Sequence, residues 1–95
     1  MISISINSTI ISNPELVSTE VDGEKVMMSI ENGEYFGLDS VGSRIWEMIE
    51  NPIRVEALVN LLIDEFDVSK EQCKLDTLEF LNELLEKKLL LIIEA

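Results

Sequence analysis

Between residues 16 and 38 the chain alternates apolar and polar positions in three short runs separated by two dipeptides: LVSTEV, Asp22-Gly23, EKVMMSIE, Asn32-Gly33 and EYFGL. A period of two marks a strand with one covered face. Asp-Gly and Asn-Gly favour two-residue type I′ hairpin loops, because both loop residues need positive φ. The pattern predicts two hairpins in series, a three-stranded antiparallel meander. In its middle strand Val26, Met28 and Ile30 share one face and Lys25, Met27, Ser29 and Glu31 the other. One of these faces is core, since successive side chains point to opposite sides of a sheet.

From residue 39 the period changes to that of a helix. Asp39 or Ser40 supplies an N-cap, and Val41, Ile45, Met48 and Ile49 recur at spacings of three and four as far as about Glu50. Asn51-Pro52 ends this helix, because proline steers the residue before it away from helical backbone. A second helix begins near Arg54 with Val55, Leu58, Val59, Leu62 and Phe66 along its buried stripe. Ser69 with Gln72 three residues on reads as a capping box opening a third helix, from about Lys70 to Lys88. Its apolar positions run from Phe80 and Cys73 through Leu84, Thr77, Leu81, Leu85 and Leu78 to Leu75. That arc covers roughly 220°, about twice the stripe of a helix buried on one side, so one neighbouring layer cannot cover it.

At the ends, Ile2, Ile4 and Ile6 alternate with serine, and Leu89 to Ile93 form an apolar run. At least one is expected to pair with the other or with the sheet, because unpaired apolar edges aggregate. The fold class is α+β and winged-helix-like: a three-stranded antiparallel β-meander followed by three α-helices. A chain of 95 residues encloses one modest core, so residues 1–95 are expected to form a single domain, with an added N-terminal strand within residues 1–11.

Hydrophobic residues make up 46% of the chain and charged ones 27%, proportions that suit a folded protein. Cys73 is the only cysteine, which leaves no intramolecular disulfide and favours a reducing compartment. The start, MISISINSTIIS, has neither a basic n-region nor a continuous apolar stretch, so a cytoplasmic location is expected. The longest apolar run, Leu89 to Ile93, is far short of the roughly 20 residues that cross a bilayer, and no membrane association is expected.

Nineteen acidic against seven basic residues give a net charge of −12, which opposes contact with phosphate backbones. Glu71, Asp76, Glu79, Glu83 and Glu86 sit on the third helix, where a winged-helix transcription regulator would carry basic groups. Nucleic acid is therefore not an expected partner. There is no histidine to act as general base, and Cys73 lies within the apolar arc, where a free thiol packs as a small hydrophobe. No run of oxygen ligands suits a metal, and the four glycines have turn spacing rather than that of a phosphate-binding loop. The residues predict no enzyme, metal or cofactor.

Binding remains. An open sheet edge beside a helix with surplus apolar surface can take an extended peptide as an added strand, or the same surface can close in a homodimer. The run VDGEKVMMSIENGEYFGLDSVGSRIWEMIE, the proline after it, a helix ending DEFDVS and a final FLNELLEKKLL closely resemble the PqqD-like family. That family holds the pyrroloquinoline quinone biosynthesis protein D and the precursor-peptide recognition elements of ribosomally made, modified peptides. The stretch from Tyr35 to Trp46 is the most specific part, and the resemblance covers about residues 12 to 92.

The resemblance is greatest to small free-standing leader-binding proteins of lasso-peptide gene clusters. It implies a protein that grips the leader of a precursor peptide and presents it to a separate leader peptidase and then a cyclase. A PqqD-type peptide chaperone serving a radical SAM enzyme is the alternative within the family. The resemblance further implies that the leader lies antiparallel to the third strand, along Glu34, Tyr35, Phe36, Gly37 and Leu38. The third helix would face it with Leu75, Leu78, Glu79 and Asn82, or with Cys73, Thr77, Phe80 and Leu84 on its other flank; the site is assigned to the first set. Val41, Ile45, Trp46 and Ile49 are assigned to the core. Two features depart from the family pattern: the strand-like ISISI at the start, and Arg54 where a helix-capping Ser or Thr is expected.

Overall fold

A computed structural model describes residues 3–30 and 33–94. The chain runs through β1 (Thr9–Ser12), β2 (Val17–Val21), β3 (Glu24–Ser29), β4 (Glu34–Gly37), α1 (Ser40–Met48), β5 (Ile53–Arg54), α2 (Val55–Glu65), α3 (Lys70–Glu86) and β6 (Leu90–Glu94). Two three-stranded antiparallel sheets form, in the orders β2-β3-β4 and β5-β1-β6. The first is the expected meander, and with the three helices it makes the expected α+β, winged-helix-like arrangement.

The first hairpin follows its dipeptide. Val21 lies opposite Glu24, and Asp22 and Gly23 both take positive φ, 52° and 84°, as a type I′ loop requires. The second does not close on Asn32-Gly33 alone. Ser29 pairs with Glu34, so the loop takes residues 30–33, with the Gly33 N–H donating to the Ser29 carbonyl at 2.7 Å. A two-residue loop would have set Glu31 directly opposite Glu34, and like charges so placed are destabilising. Glu31 and Asn32 themselves lie outside the described residues. The change shifts the register by two, so every side chain keeps its face.

The core face of β3 is the one carrying Met27, which is fully buried and pairs across with Phe36. Against it pack Ile45, Trp46 and Ile49 of the first helical segment, Val55, Leu58, Val59 and Leu62 of α2, and Leu81 and Leu84 of α3. The Asp39 carboxylate caps α1 by accepting the Gly42 N–H at 2.8 Å, and the Ser69 hydroxyl caps α3 by accepting that of Gln72 at 3.3 Å.

The two chain ends pair with each other: Ile10 lies opposite Ile92 and Ser12 opposite Leu90. The N-terminal strand begins at Thr9, later than the Ile2–Ile6 alternation predicts; Ile2 lies outside the described residues. Residues 4–8 instead form a turn, with Ser8 N–H donating to the Ser5 carbonyl and Ser5 N–H to the Ser8 hydroxyl. From that turn the carbonyls of Ser8 and Ile6 accept the N–H groups of Val55 at 2.9 Å and Glu56 at 3.1 Å.

These two amides open α2, whose first-turn donors need acceptors from outside the helix. Arg54 makes no side-chain cap, and its guanidinium donates to Asn7 Oδ1 at 2.8 Å. The N-terminal segment thus supplies from its main chain what a Ser or Thr at position 54 would supply from its side chain.

Helix α3 closes through a Schellman turn: the Leu89 N–H reaches the Leu84 carbonyl at 2.9 Å and the Lys88 N–H the Leu85 carbonyl at 3.0 Å. Lys88 sits there in the left-handed region, at φ 63°, which costs a non-glycine residue about 1 kcal/mol. Lys88→Gly is expected to stabilise the fold by about that amount, raising the midpoint of thermal unfolding by about 4–8 °C in a domain of this size. An unchanged or lower midpoint in a circular-dichroism melt would contradict this.

Candidate functional site: a strand edge and an apolar groove

Strand β4 is the last of its sheet. The Leu38 N–H donates to the Lys25 carbonyl at 3.0 Å. With the register Met27 to Phe36 and Ser29 to Glu34, this makes Leu38, Phe36 and Glu34 the positions that bond to β3. In an antiparallel ladder such positions alternate. The N–H and C=O groups of Tyr35 and Gly37 therefore point away from β3, and no described strand pairs with them. The same alternation separates the aromatic pair: Phe36 turns inward against the core, whereas Tyr35 lies on the outer face, 72% exposed.

At the Gly37 end of this edge opens a groove of about 510 Å³. Gly37, Leu38, Val41 and Ile45 form one side, and Leu62, Phe66 and Val68 the end. The opposite wall is Cys73, Thr77 and Phe80, with Asp39, Gln72 and Asp76 also in the lining. Two small side chains give this wall its room. Thr77 is almost fully buried and its Oγ1 lies 3.9 Å from the Cys73 sulfur, so the hydroxyl is turned into the protein. At the floor α1 approaches α3 closely: a Cβ at Gly42 would stand 3.2 Å from Phe80 Cζ and 3.3 Å from the Leu38 Cβ. Glycine at 42 is what lets the Phe80 ring lie there.

Of the residues assigned to the site from sequence, Gly37 and Leu38 line the groove and Phe36 packs beneath the same strand. Glu34 and Tyr35 are exposed on β4. The assigned face of α3 is elsewhere. Leu75 is 61% exposed and Leu78 packs on the core. Glu79 is exposed. Asn82 accepts the Ile4 N–H through Oδ1 at 2.8 Å while its Nδ2 donates to the Leu78 carbonyl at 2.9 Å.

Of the two flanks of α3, the one carrying Cys73, Thr77 and Phe80 lines this groove, and Leu75, Leu78, Glu79 and Asn82 do not. The N-terminal segment engages the Asn82 flank, which leaves the other flank to face β4. Val41 needs a correction, because it is 44% exposed and lines the groove rather than the core. The compact side chains at 73 and 77 within an otherwise bulky arc were the available signal in the sequence.

Past Leu84 the same flank reaches Lys87, whose ammonium lies 5.8 Å from the centroid of the Phe36 ring. A second hollow, of about 560 Å³, opens at this end between Leu16, Ile30, Leu85 and Leu91, with Lys87 and Lys88 in its wall. Among the described residues the salt bridge is Arg44 to Glu65, at 2.9 Å, between α1 and the end of α2. That hydrogen bond holds the Arg44 guanidinium above its ordinary pKa. Also among the described residues, no three acidic, histidine or cysteine side chains gather as a metal would need, and no helix is long and apolar enough to cross a membrane.

An unpaired strand edge flanked by an apolar groove is the geometry of domains that bind extended chains by strand addition. Residues 24–90 match the family described as coenzyme PQQ synthesis protein D (PqqD), and the chain belongs to that family. Among solved structures it is similar to TbiB1 in complex with the TbiA(beta) leader peptide, at 38% sequence identity and a TM-score of 0.79, over 84% of this chain and 93% of that one. Comparison with curated proteins gives no match.

Phe80 and Leu75 separate the two flanks of α3 experimentally. Removing the half-buried Phe80 ring in Phe80→Ala should cost about 2–3 kcal/mol, somewhat under the range for a fully buried phenylalanine. Leu75→Ala should stay within about 0.5 kcal/mol, as surface changes do. Urea unfolding of the two variants reads this directly, and equal losses would mean that the flanks are misassigned.

Proposed function

We propose that the protein binds the leader segment of a ribosomally made precursor peptide as an added antiparallel strand on β4. In this role it presents the leader to a separate peptidase and then a cyclase in lasso-peptide biosynthesis. The observation that carries this reading is the unpaired edge at Tyr35 and Gly37 beside an apolar groove. Its weight comes from the likeness to a protein solved with a leader peptide in place.

Main-chain bonds to the β4 edge give affinity without regard to sequence, and side chains entering the groove give selectivity. Alternation sends every second guest side chain toward α3, where Cys73, Thr77 and Phe80 receive it. The segment Glu34–Leu38 is thus the peptide-binding strand. The flank of Leu75, Leu78, Glu79 and Asn82 serves the fold. The protein contributes no bond-making chemistry of its own and works in the cytoplasm as a carrier.

Membership of the PqqD family favours one second reading, a peptide chaperone for a radical SAM enzyme using the same edge and groove. The two readings differ in the enzyme that receives the peptide. Closure of the groove by a second copy of the chain is disfavoured by the mutual repulsion of two molecules each carrying −12.

Titration with synthetic leader from the precursor gene beside this one should give micromolar or tighter binding to a monomer. N-methylation of single leader amides should then weaken binding about 2–12-fold at alternate positions only, the loss of one hydrogen bond of about 0.5–1.5 kcal/mol each time. Losses at consecutive positions, or at none, would exclude strand addition, and absence of binding would exclude the leader as ligand.

A further inference from the structure

Lys87 is unusual in this chain by its setting. Of the seven basic residues, Arg44 is paired with Glu65 and Arg54 is bonded to Asn7. Lys87 makes no salt bridge to a described residue, and its ammonium stands over the Phe36 ring at 5.8 Å. That contact ties a positive charge to the β4 side of α3, since a cation over an aromatic face is attracted to it. Glu83, one turn earlier on α3, and Glu34, two residues before Phe36 on the same face of β4, are exposed neighbours in sequence. Neither forms a salt bridge with Lys87.

The groove itself, further along β4 from Lys87 and its hollow, carries the other sign. Asp39 and Asp76 both line it. Each carboxylate already accepts one hydrogen bond, from the Gly42 N–H and from Gln72 Nε2 at 2.9 Å respectively. Neither meets a cation among the described residues. The edge that would hold a guest therefore has Asp39 and Asp76 toward Leu38 and Lys87 toward Phe36, with Lys25 in the hollow on the other side of Asp39.

We propose that this pair of ends reads charge in the bound peptide: a Lys or Arg beside Asp76, followed toward the peptide's C-terminus by an Asp or Glu beside Lys87. The proposal rests on the strand-addition reading above and adds a direction and a spacing to it. The direction follows from β4, which runs from the Lys87 end at Phe36 to the Asp76 end at Leu38, so an antiparallel guest meets Asp76 first.

The spacing follows from α3. The eleven positions from Asp76 to Lys87 rise about 16 Å along a helix at about 1.5 Å per residue. An extended chain covers that distance in about five residues at about 3.4 Å each. Both acceptors lie on the α3 side, and only even separations return a strand's side chain to one face. The basic and acidic residues should thus be four or six positions apart, not five.

The test is a charge swap between the protein and synthetic leader peptide, read as the dissociation constant by fluorescence anisotropy. Asp76→Lys and Lys87→Glu are both at exposed positions, and circular dichroism checks that each variant folds. Each should bind the unmodified leader about three- to fivefold more weakly, the scale of an exposed ion pair. Lys87→Glu should recover with a leader in which one acidic residue is changed to Lys. Asp76→Lys should recover with a leader in which one basic residue, four or six positions nearer the N-terminus, is changed to Glu.

Unweakened binding by both variants overturns the proposal, as does rescue at odd spacing or in the reverse order, while leaving the binding function standing. Failure of the unaltered protein to bind the leader overturns the function and this inference together.

Discussion

The groove depends on how the two flanks of α3 are covered. A helix with an apolar arc of roughly 220° needs contact on two sides, because one layer covers only about half of that. Helix α2 and the meander cover Leu81 and Leu84. The N-terminal turn covers the flank at Asn82, tied by the bond from the Ile4 N–H. The strip through Cys73, Thr77 and Phe80 is left to wall the groove, with Cys73 and Thr77 set deep in it, and Gly37 and Leu38 at the end of β4 lie in the same lining. The groove is thus the remainder of a packing problem that the rest of the chain solves.

The local code of the sequence was legible wherever one residue or dipeptide has a single outcome. Asp22-Gly23 gave its hairpin, Asp39 and Ser69 their caps, and Pro52 its helix stop, since each acts through its own backbone. Asn32-Gly33 was only half legible, because the strand pairing that decided the loop length involved Glu34 across the hairpin. The choice of flank on α3 was not legible at all. Both sides of the helix are apolar at helical spacing, and the segment that settles the matter lies 78 residues away in the chain. Val41 was misread for a related reason: its spacing matches that of Ile45 and Ile49, yet it lines the groove and is 44% exposed.

The two departures from the family pattern compensate for each other. Arg54 cannot cap α2, and the extra N-terminal turn brings two carbonyls to do so, while Asn7 takes the guanidinium that position 54 presents. Neither feature makes sense alone. The unpaired edge of β4 has a similar logic from the opposite side. Most proteins blunt such an edge, and here Glu34 and the strong net negative charge deter random pairing, while the strand itself, ending in Gly37, stays unpaired by any described strand.

The pairing of β1 with β6 bears on the timing of synthesis. Ribosomal emergence is sequential, and β1 can find β6 only after the residues between them have been made. Asn82, which anchors the N-terminal turn, likewise follows Ile4 by 78 residues. Until then the N-terminal turn lacks both of its long-range partners. The groove's own residues, Gly37 to Phe80, are therefore all made before Asn82 can hold the N-terminal turn on the far flank of α3.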